Sequence, residues 1–401
     1  MGGSHAHRGG PELSVARGPR LALLGSLVLA AVATAIGVVV LWPDGAEVDR
    51  VTSEVSFTAP GVSFADADVT DVSPACADLR DQGAGCGTID VTIAAGAGAG
   101  DTATLEVPPE VSDSGLRAGD TVMVLRIPEA ESPGEHRYSY FGTVRTTPLL
   151  VLGLVFVGLV LLVARWRGFF SLIGLGFSGL VIWVFMLPAL LTGAPGLAVG
   201  LTGSAAIMFV VLYMTHGLSV RTSTALAGTL LGALVTAGLG VAAASAARVT
   251  GIADESGGVL SSVTGGLDFQ GVFACALVVA GLGVLNDVTI TQSSSVWEIR
   301  AASPAMSRAG VFASGMRIGR DHIASTIYTI VFAYAGTALT VLMVLQIYGL
   351  PLAQLLATED ITQELVRTFA SSIGLVLAVP ITTAIAVLVA PRSHPEDALL
   401  G

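Results

Sequence analysis

The chain contains no lysine, and all 19 of its basic residues are arginine. It is short of charge of either sign, with 12% charged residues, about half the usual globular share. Cysteine occurs three times and aromatic residues make up 6% of the chain. Each shortage closes off a class of function. A phosphate loop of the Gly-x-x-x-x-Gly-Lys kind is impossible without lysine. The Gly-rich run 94–100 is β-flanked and does not replace it. No Cys or His pair has metal-ligand spacing, so no metal and no cofactor is expected. So little charge also excludes a disordered chain and argues against an ordinary soluble enzyme. Arginine alone, amid abundant Ala, Gly and Val, fits a GC-rich bacterial coding bias.

What the chain has is apolar: 53% of residues, at a mean hydropathy of +0.78. Several apolar runs are long enough to cross a bilayer. The expected fold class is an α-helical polytopic membrane protein of about eight transmembrane helices, one plus seven. A small extracytoplasmic β domain follows the first helix. The expected divisions are a disordered cytoplasmic tail over 1–20, an anchor helix over 21–42, a β-rich domain over 44–147, a seven-helix core over 148–390 and a cytoplasmic tail over 391–401. Within the core the spans fall near 148–164, 168–188, 196–214, 222–247, 270–290, 322–347 and 368–390. A cleaved signal peptide is the alternative for 21–42, but the run exceeds the roughly 7–15 residues of such a segment.

Net charge is −11, and it is concentrated. Residues 44–147 carry 18 acidic and six basic side chains, so no nucleic acid is expected as a partner. β-prone runs at Val51–Phe57, Ile89–Ile93, Ala103–Val107 and Thr121–Arg126 predict a barrel or sandwich there. Cys76 and Cys86 lie ten residues apart in this segment, and a disulfide between them is one of two open readings. Cys275 sits in an apolar run and reads as a buried small hydrophobe.

Arginine placement orients the chain. With the N-terminus inside, eleven arginines fall on the cytoplasmic side, and the short outer loops hold only Arg248 and Arg367. The outer loops also carry Asp254, Glu255, Asp268, Glu359, Asp360 and Glu364. The expected location is the bacterial cytoplasmic (plasma) membrane, with both termini cytoplasmic.

Two segments carry the candidate chemistry. In Leu285–Arg300 (LNDVTITQSSSVWEIR), Asn286 and Asp287 end an apolar run, and Asp287, Thr291, Ser294 and Glu298 recur at helical spacing. In Gly315–His322, Arg317, Arg320, Asp321 and His322 lead into the next span, with Ser325 and Tyr328 on the face of Asp321. Ionisable groups near membrane depth are costly and usually face a cavity, a partner or water. Asn286, Asp287, Thr291, Glu298, Arg317, Arg320, Asp321 and His322 therefore form the expected polar pocket, with charges paired between the two segments. The plain alternative is two helices emerging into the cytoplasm. Residues 293–318 between them read as an interfacial amphipathic helix pair.

Other patterns say less. Ser178, in Gly-Phe-Ser-Gly, reads as a helix-packing residue rather than a protease nucleophile. Asp287 and Asp321 lack the motifs of intramembrane aspartyl proteases, and no enzyme is expected. His216 reads as interfacial. Val220-Arg-Thr with Gly228, Leu231 and Thr236 recurs as Val366-Arg-Thr with Gly374, Leu377 and Thr382. In helices running in opposite directions this would suit an inverted repeat. In a chain so rich in Ala, Gly, Leu and Thr, chance produces such echoes too.

At Leu285–Arg300 and Gly319–Gly336 (GRDHIASTIYTIVFAYAG) the sequence resembles the YibE/F family of bacterial multi-pass membrane proteins, over roughly residues 110–390. The resemblance implies an anchor helix, an external segment and a multi-helix core, and it offers no catalytic residues. The functional expectation is a solute or ion permease whose polar pocket lies near 287 and 321. The alternative is a membrane assembly or signalling component whose acidic external domain binds a protein partner. Expected partners are the lipid bilayer, a small solute or ion, and a protein at the external domain.

Overall fold

The computed structural model describes residues 17–54, 61–75, 86–96, 98–128, 136–253, 255–264 and 266–391. Cys76 and most of the two expected tails lie outside these residues. The chain forms two compact units. One comprises residues 53–162, and the other comprises 1–52 together with 163–401.

The first unit holds five strands: β1 (Ser63–Val72), β2 (Thr88–Ile93), β3 (Thr102–Glu106), β4 (Thr121–Pro128) and β5 (His136–Thr143). They form one antiparallel sheet in the order β3-β2-β1-β4-β5. A single helical turn, Pro109–Ser112, links β3 to β4. β1 is the central strand. It alternates Ala65, Ala67 and Val69 inward with Phe64, Asp66 and Asp68 outward. Its inward residues meet Ile89, Val91, Ile93, Leu105, Val122 and Val124 in one buried cluster. Burying each Ile or Val stabilises by about 1.5–3 kcal/mol. The sheet curls: Tyr138 on β5 donates its hydroxyl to Asp101 Oδ2, just before β3, at 2.7 Å. This bond joins the two edge strands, so the unit is a half-barrel.

Three of the expected strands are β2, β3 and β4. Val51–Phe57 is a correction, because its first four residues end a helix, Gly45–Glu54. Asp44 Oδ1 accepts from the Ala46 amide at 2.9 Å, and Arg50 pairs with Glu47 one turn back. Residues 55–57 lie outside the described residues. Cys86 is disulfide-bonded, and Cys275 is free and buried.

The helices of this chain, in order, are α1 (Arg17–Val40), α2 (Gly45–Glu54), α3 (Pro109–Ser112), α4 (Thr146–Val181), α5 (Leu187–Leu191), α6 (Gly196–His216), α7 (Val220–Ala246), α8 (Glu255–Val263), α9 (Phe269–Ala302), α10 (Arg308–Thr337), α11 (Leu339–Ile347), α12 (Leu352–Leu355) and α13 (Glu359–Val389). A π-helical turn, Ile182–Met186, joins α4 to α5. Six helices are long and apolar enough to cross a membrane: α1, α4 with α5, α6, α7, α9 and α13. A seventh is α10 with α11, which pass only together and are bent by 61°. The α4–α5 stretch runs for 46 residues, about 69 Å if straight. That is twice a hydrocarbon core of about 30 Å. Its backbone leaves helical geometry at Arg165, φ 53°, where the sequence places a turn between two spans.

The core of the second unit lies among α6, α7, α9, α10 and α13. Side-chain caps start three of these helices. Ser219 accepts from the Thr222 amide, Asp268 from Gly271, and Ser307 from Gly310. The expected interfacial pair over 293–318 is also corrected: α9 runs on to Ala302 and α10 starts at Arg308. Val296 and Val311 are fully buried against Ala386, which holds both helix ends in the bundle. The buried Arg300 guanidinium closes the turn by donating to Met306 O at 2.6 Å.

Candidate functional site

Small residues let α7 and α13 approach closely. A methyl group placed on Gly228 would collide with the Thr382 side chain, and one on Gly374 would collide with Thr236. These four residues are among those that recur in the sequence echo. Gly228 corresponds to Gly374 and Thr236 to Thr382, so the two contacts are one contact seen from opposite ends. Helices of like sequence here lie antiparallel, each offering its glycine to the other's threonine. This is the geometry of an inverted pair.

α9 lies against both members and carries a buried, uncharged polar face. Thr289 Oγ1 is 2.6 Å from Thr229 Oγ1 on α7. Gln292 Nε2 donates to Gly315 O on α10 at 2.9 Å and to Thr383 Oγ1 on α13 at 2.7 Å. Ser293 Oγ donates to Arg221 O at 2.8 Å. Thr383 Oγ1 in turn donates to Val379 O at 2.7 Å. These bonds tie four helices together without burying a charge, which makes them cheap in an apolar interior.

The eight sequence-predicted residues lie on the other side of α9 and on α10. Asp287 and Glu298 are exposed, and so are Arg317, Arg320 and Asp321. Asn286, Thr291 and His322 are half-buried. Across the two helices His322 Nε2 lies 3.8 Å from Asp287 Oδ2, too far for a hydrogen bond. The Asp287 side chain is 71% exposed, so solvent or headgroup screening leaves the pair weak. Arg317 donates to Ser314 at 2.9 Å on its own helix. Among the described residues no ion pair joins Arg317 or Arg320 to Asp287 or Glu298, and the charged contact between the segments is His322–Asp287. Ser178 donates to Gly174 O at 2.8 Å, as a helix-packing serine does.

At the opposite ends of α9, α10 and α13 lies a cavity of about 350 Å³. Phe273 and Ala276 of α9, Thr337 and Ala338 at the α10–α11 break, and Glu364 and Arg367 of α13 line it. Arg367 Nη1 donates to Glu364 Oε2 at 3.1 Å, one turn back on α13. The guanidinium also lies 5.7 Å from the Phe273 ring centroid, in cation–π geometry. Arg367 Nε and Glu364 Oε1 are buried and make no hydrogen bond. Glu359 anchors the mouth by accepting from the Thr250 amide at 2.7 Å, the Thr250 hydroxyl at 3.0 Å and Gln363 at 2.9 Å. Sequence reading placed Glu364 and Arg367 in an outer loop. The signal for them is an arginine and a carboxylate three residues apart, at the start of an apolar helix.

The profile of the family described as YibE/F-like protein matches residues 152–392. The match begins later than the resemblance near residue 110 implies, so the five strands fall outside it. No curated protein and no solved structure matches the chain.

Proposed function

The chain belongs to the YibE/F-like family, and from that premise we propose that it is a multi-pass membrane permease for a small solute or ion, without enzymatic activity. The reciprocal glycine–threonine contact of α7 and α13 carries the reading. Many transporters are built on inverted repeats, with the solute held near the repeat interface by broken helices. Here the broken α10–α11 pair borders a cavity that holds a charged pair. Counting the break at Arg165 as a turn and the bent pair as one span gives eight crossings. The Arg165–Arg167 turn and both termini then face the cytoplasm of a bacterial cell, and the strands lie outside.

Sidedness is tested with trypsin, which in this chain cuts only at arginine. Added to spheroplasts, it should cut at the exposed turn residue Arg117 and spare Arg317; the reverse would overturn the orientation. Transport is tested in proteoliposomes on a solid-supported membrane. At least one of a panel of inorganic ions and radiolabelled amino acids should evoke a current, or for a net-neutral amino acid an uptake of label, absent from empty liposomes. Silence across the panel would overturn the permease. It would favour instead a protein partner on the acidic face of β1, where Asp66, Asp68 and Asp71 are exposed. An undiminished current in Asp287→Asn would remove the Asp287–His322 pair from the solute path.

A further inference from the structure

We propose that the cavity at the α10–α11 break binds a compact zwitterion, with a carboxylate on Arg367 and an ammonium group on Glu364. The inference rests on the permease reading for its purpose but not for its chemistry. Buried polar groups in folded proteins are hydrogen-bonded, and each exception calls for an explanation. Two exceptions lie one turn apart on α13. Arg367 spends one N–H on Glu364 and leaves Nε buried and unpaired, while Glu364 leaves Oε1 in the same condition. One vacancy is a donor and the other an acceptor, within a single turn of α13. A ligand seated against this pair meets a guanidinium and a carboxylate one turn apart, and complements them with an acceptor and a donor close together.

Charge sharpens the choice. Among the described residues Arg367 is the one cation lining the cavity, and Asp360 and Glu364 both line it. Acidic side chains therefore outnumber basic ones in the described lining, which favours a cationic group on the ligand. The C-terminal end of α10 adds to this, since Thr337 and Ala338 sit at the negative pole of a 30-residue helix. Arginine in turn selects a carboxylate, which its planar fork matches. The Phe273 ring fixes the guanidinium from below, so the fork is pre-organised. Size narrows the class further. About 350 Å³ is near the lower limit of small-molecule sites. That suits a single amino acid.

The test is binding to purified full-length protein in detergent, read by isothermal titration and by melting temperature. The probes are L-alanine, acetate and methylammonium, each up to about 10 mM. L-Alanine should bind and raise the melting temperature, while acetate or methylammonium alone should bind about 30-fold more weakly or not at all. Arg367→Gln and Glu364→Gln should each weaken L-alanine binding by about 30-fold. The three-probe comparison needs no variant, so a misfolded mutant leaves it intact. Methylammonium binding as tightly as L-alanine would overturn the proposal in favour of a simple cation site, and so would no binding of any probe. Binding with neither a current nor uptake of radiolabelled L-alanine in proteoliposomes would keep the site and defeat the permease. A current carried by other solutes, without L-alanine binding, would do the reverse.

Discussion

Gly374→Thr should cost the helical unit about 3 kcal/mol, and adding Thr236→Gly to the same chain should restore most of it. The methyl position on Gly374 is already occupied by the Thr236 side chain, with the Thr236 backbone close behind. No flexible side-chain end can swing away, so the helices must separate. Separation also strains the bonds that α9 makes to both. Thr236→Gly alone opens a gap and loses about 0.3 kcal/mol of helix propensity. Together the two changes exchange which helix carries the bulk. The mirror pair, Gly228→Thr with Thr382→Gly, should behave alike, because the contacts correspond. Melting of the detergent-purified protein, followed by size exclusion, reads all six variants. A Gly374→Thr protein that melts with the wild type would show that the helices do not meet there. Failure of both double variants to recover would show that the contacts are not interchangeable.

Gln292→Leu should lower stability by about 2–4 kcal/mol, whereas Asp287→Asn, five positions earlier on α9, should change it by less than about 0.5 kcal/mol. Gln292 is 2% exposed and bridges α10 and α13 through one amide nitrogen. Leucine keeps much of the volume but breaks both bonds. Its branch also crowds Gly319, whose missing side chain makes room for the amide. Among the described residues the charged partner of Asp287 is His322, 3.8 Å away. The same melting assay ranks the two. A larger loss from Asp287→Asn would mean that the charged face of α9, not the amide face, is the packed one.

That contrast marks what the sequence reveals about the site. Spacing at i, i+4, i+7 and i+11 does place Asp287, Thr291, Ser294 and Glu298 along one face. It does not say which face points inward. Ionisable residues draw attention because burying them is expensive, yet for the same reason the fold keeps them outside. Hydroxyls and amides enter instead, since a threonine or serine can bond its own helix and cross to the next at little cost. The long helices are legible because uncharged runs are punctuated by arginine, and even the break at Arg165 shows in that pattern. The central strand β1 is not legible, because its inward residues include Ala65 and Ala67, weak strand formers between aspartates. The echo of Val220–Thr236 in Val366–Thr382 is visible in the sequence. Only packing shows that each glycine faces the other copy's threonine.

The break at Ala338 bears on how the protein is made. α10 alone falls short of the apolarity of a membrane span and reaches it only with α11. In a bilayer, a helix of that composition is a poor substrate for the insertion machinery by itself. Its partners are α9, already synthesised, and α13, which is synthesised after it. α10 would therefore stay only loosely committed to lipid until α13 arrives, and truncation before Glu359 should leave it prone to slip out and be degraded.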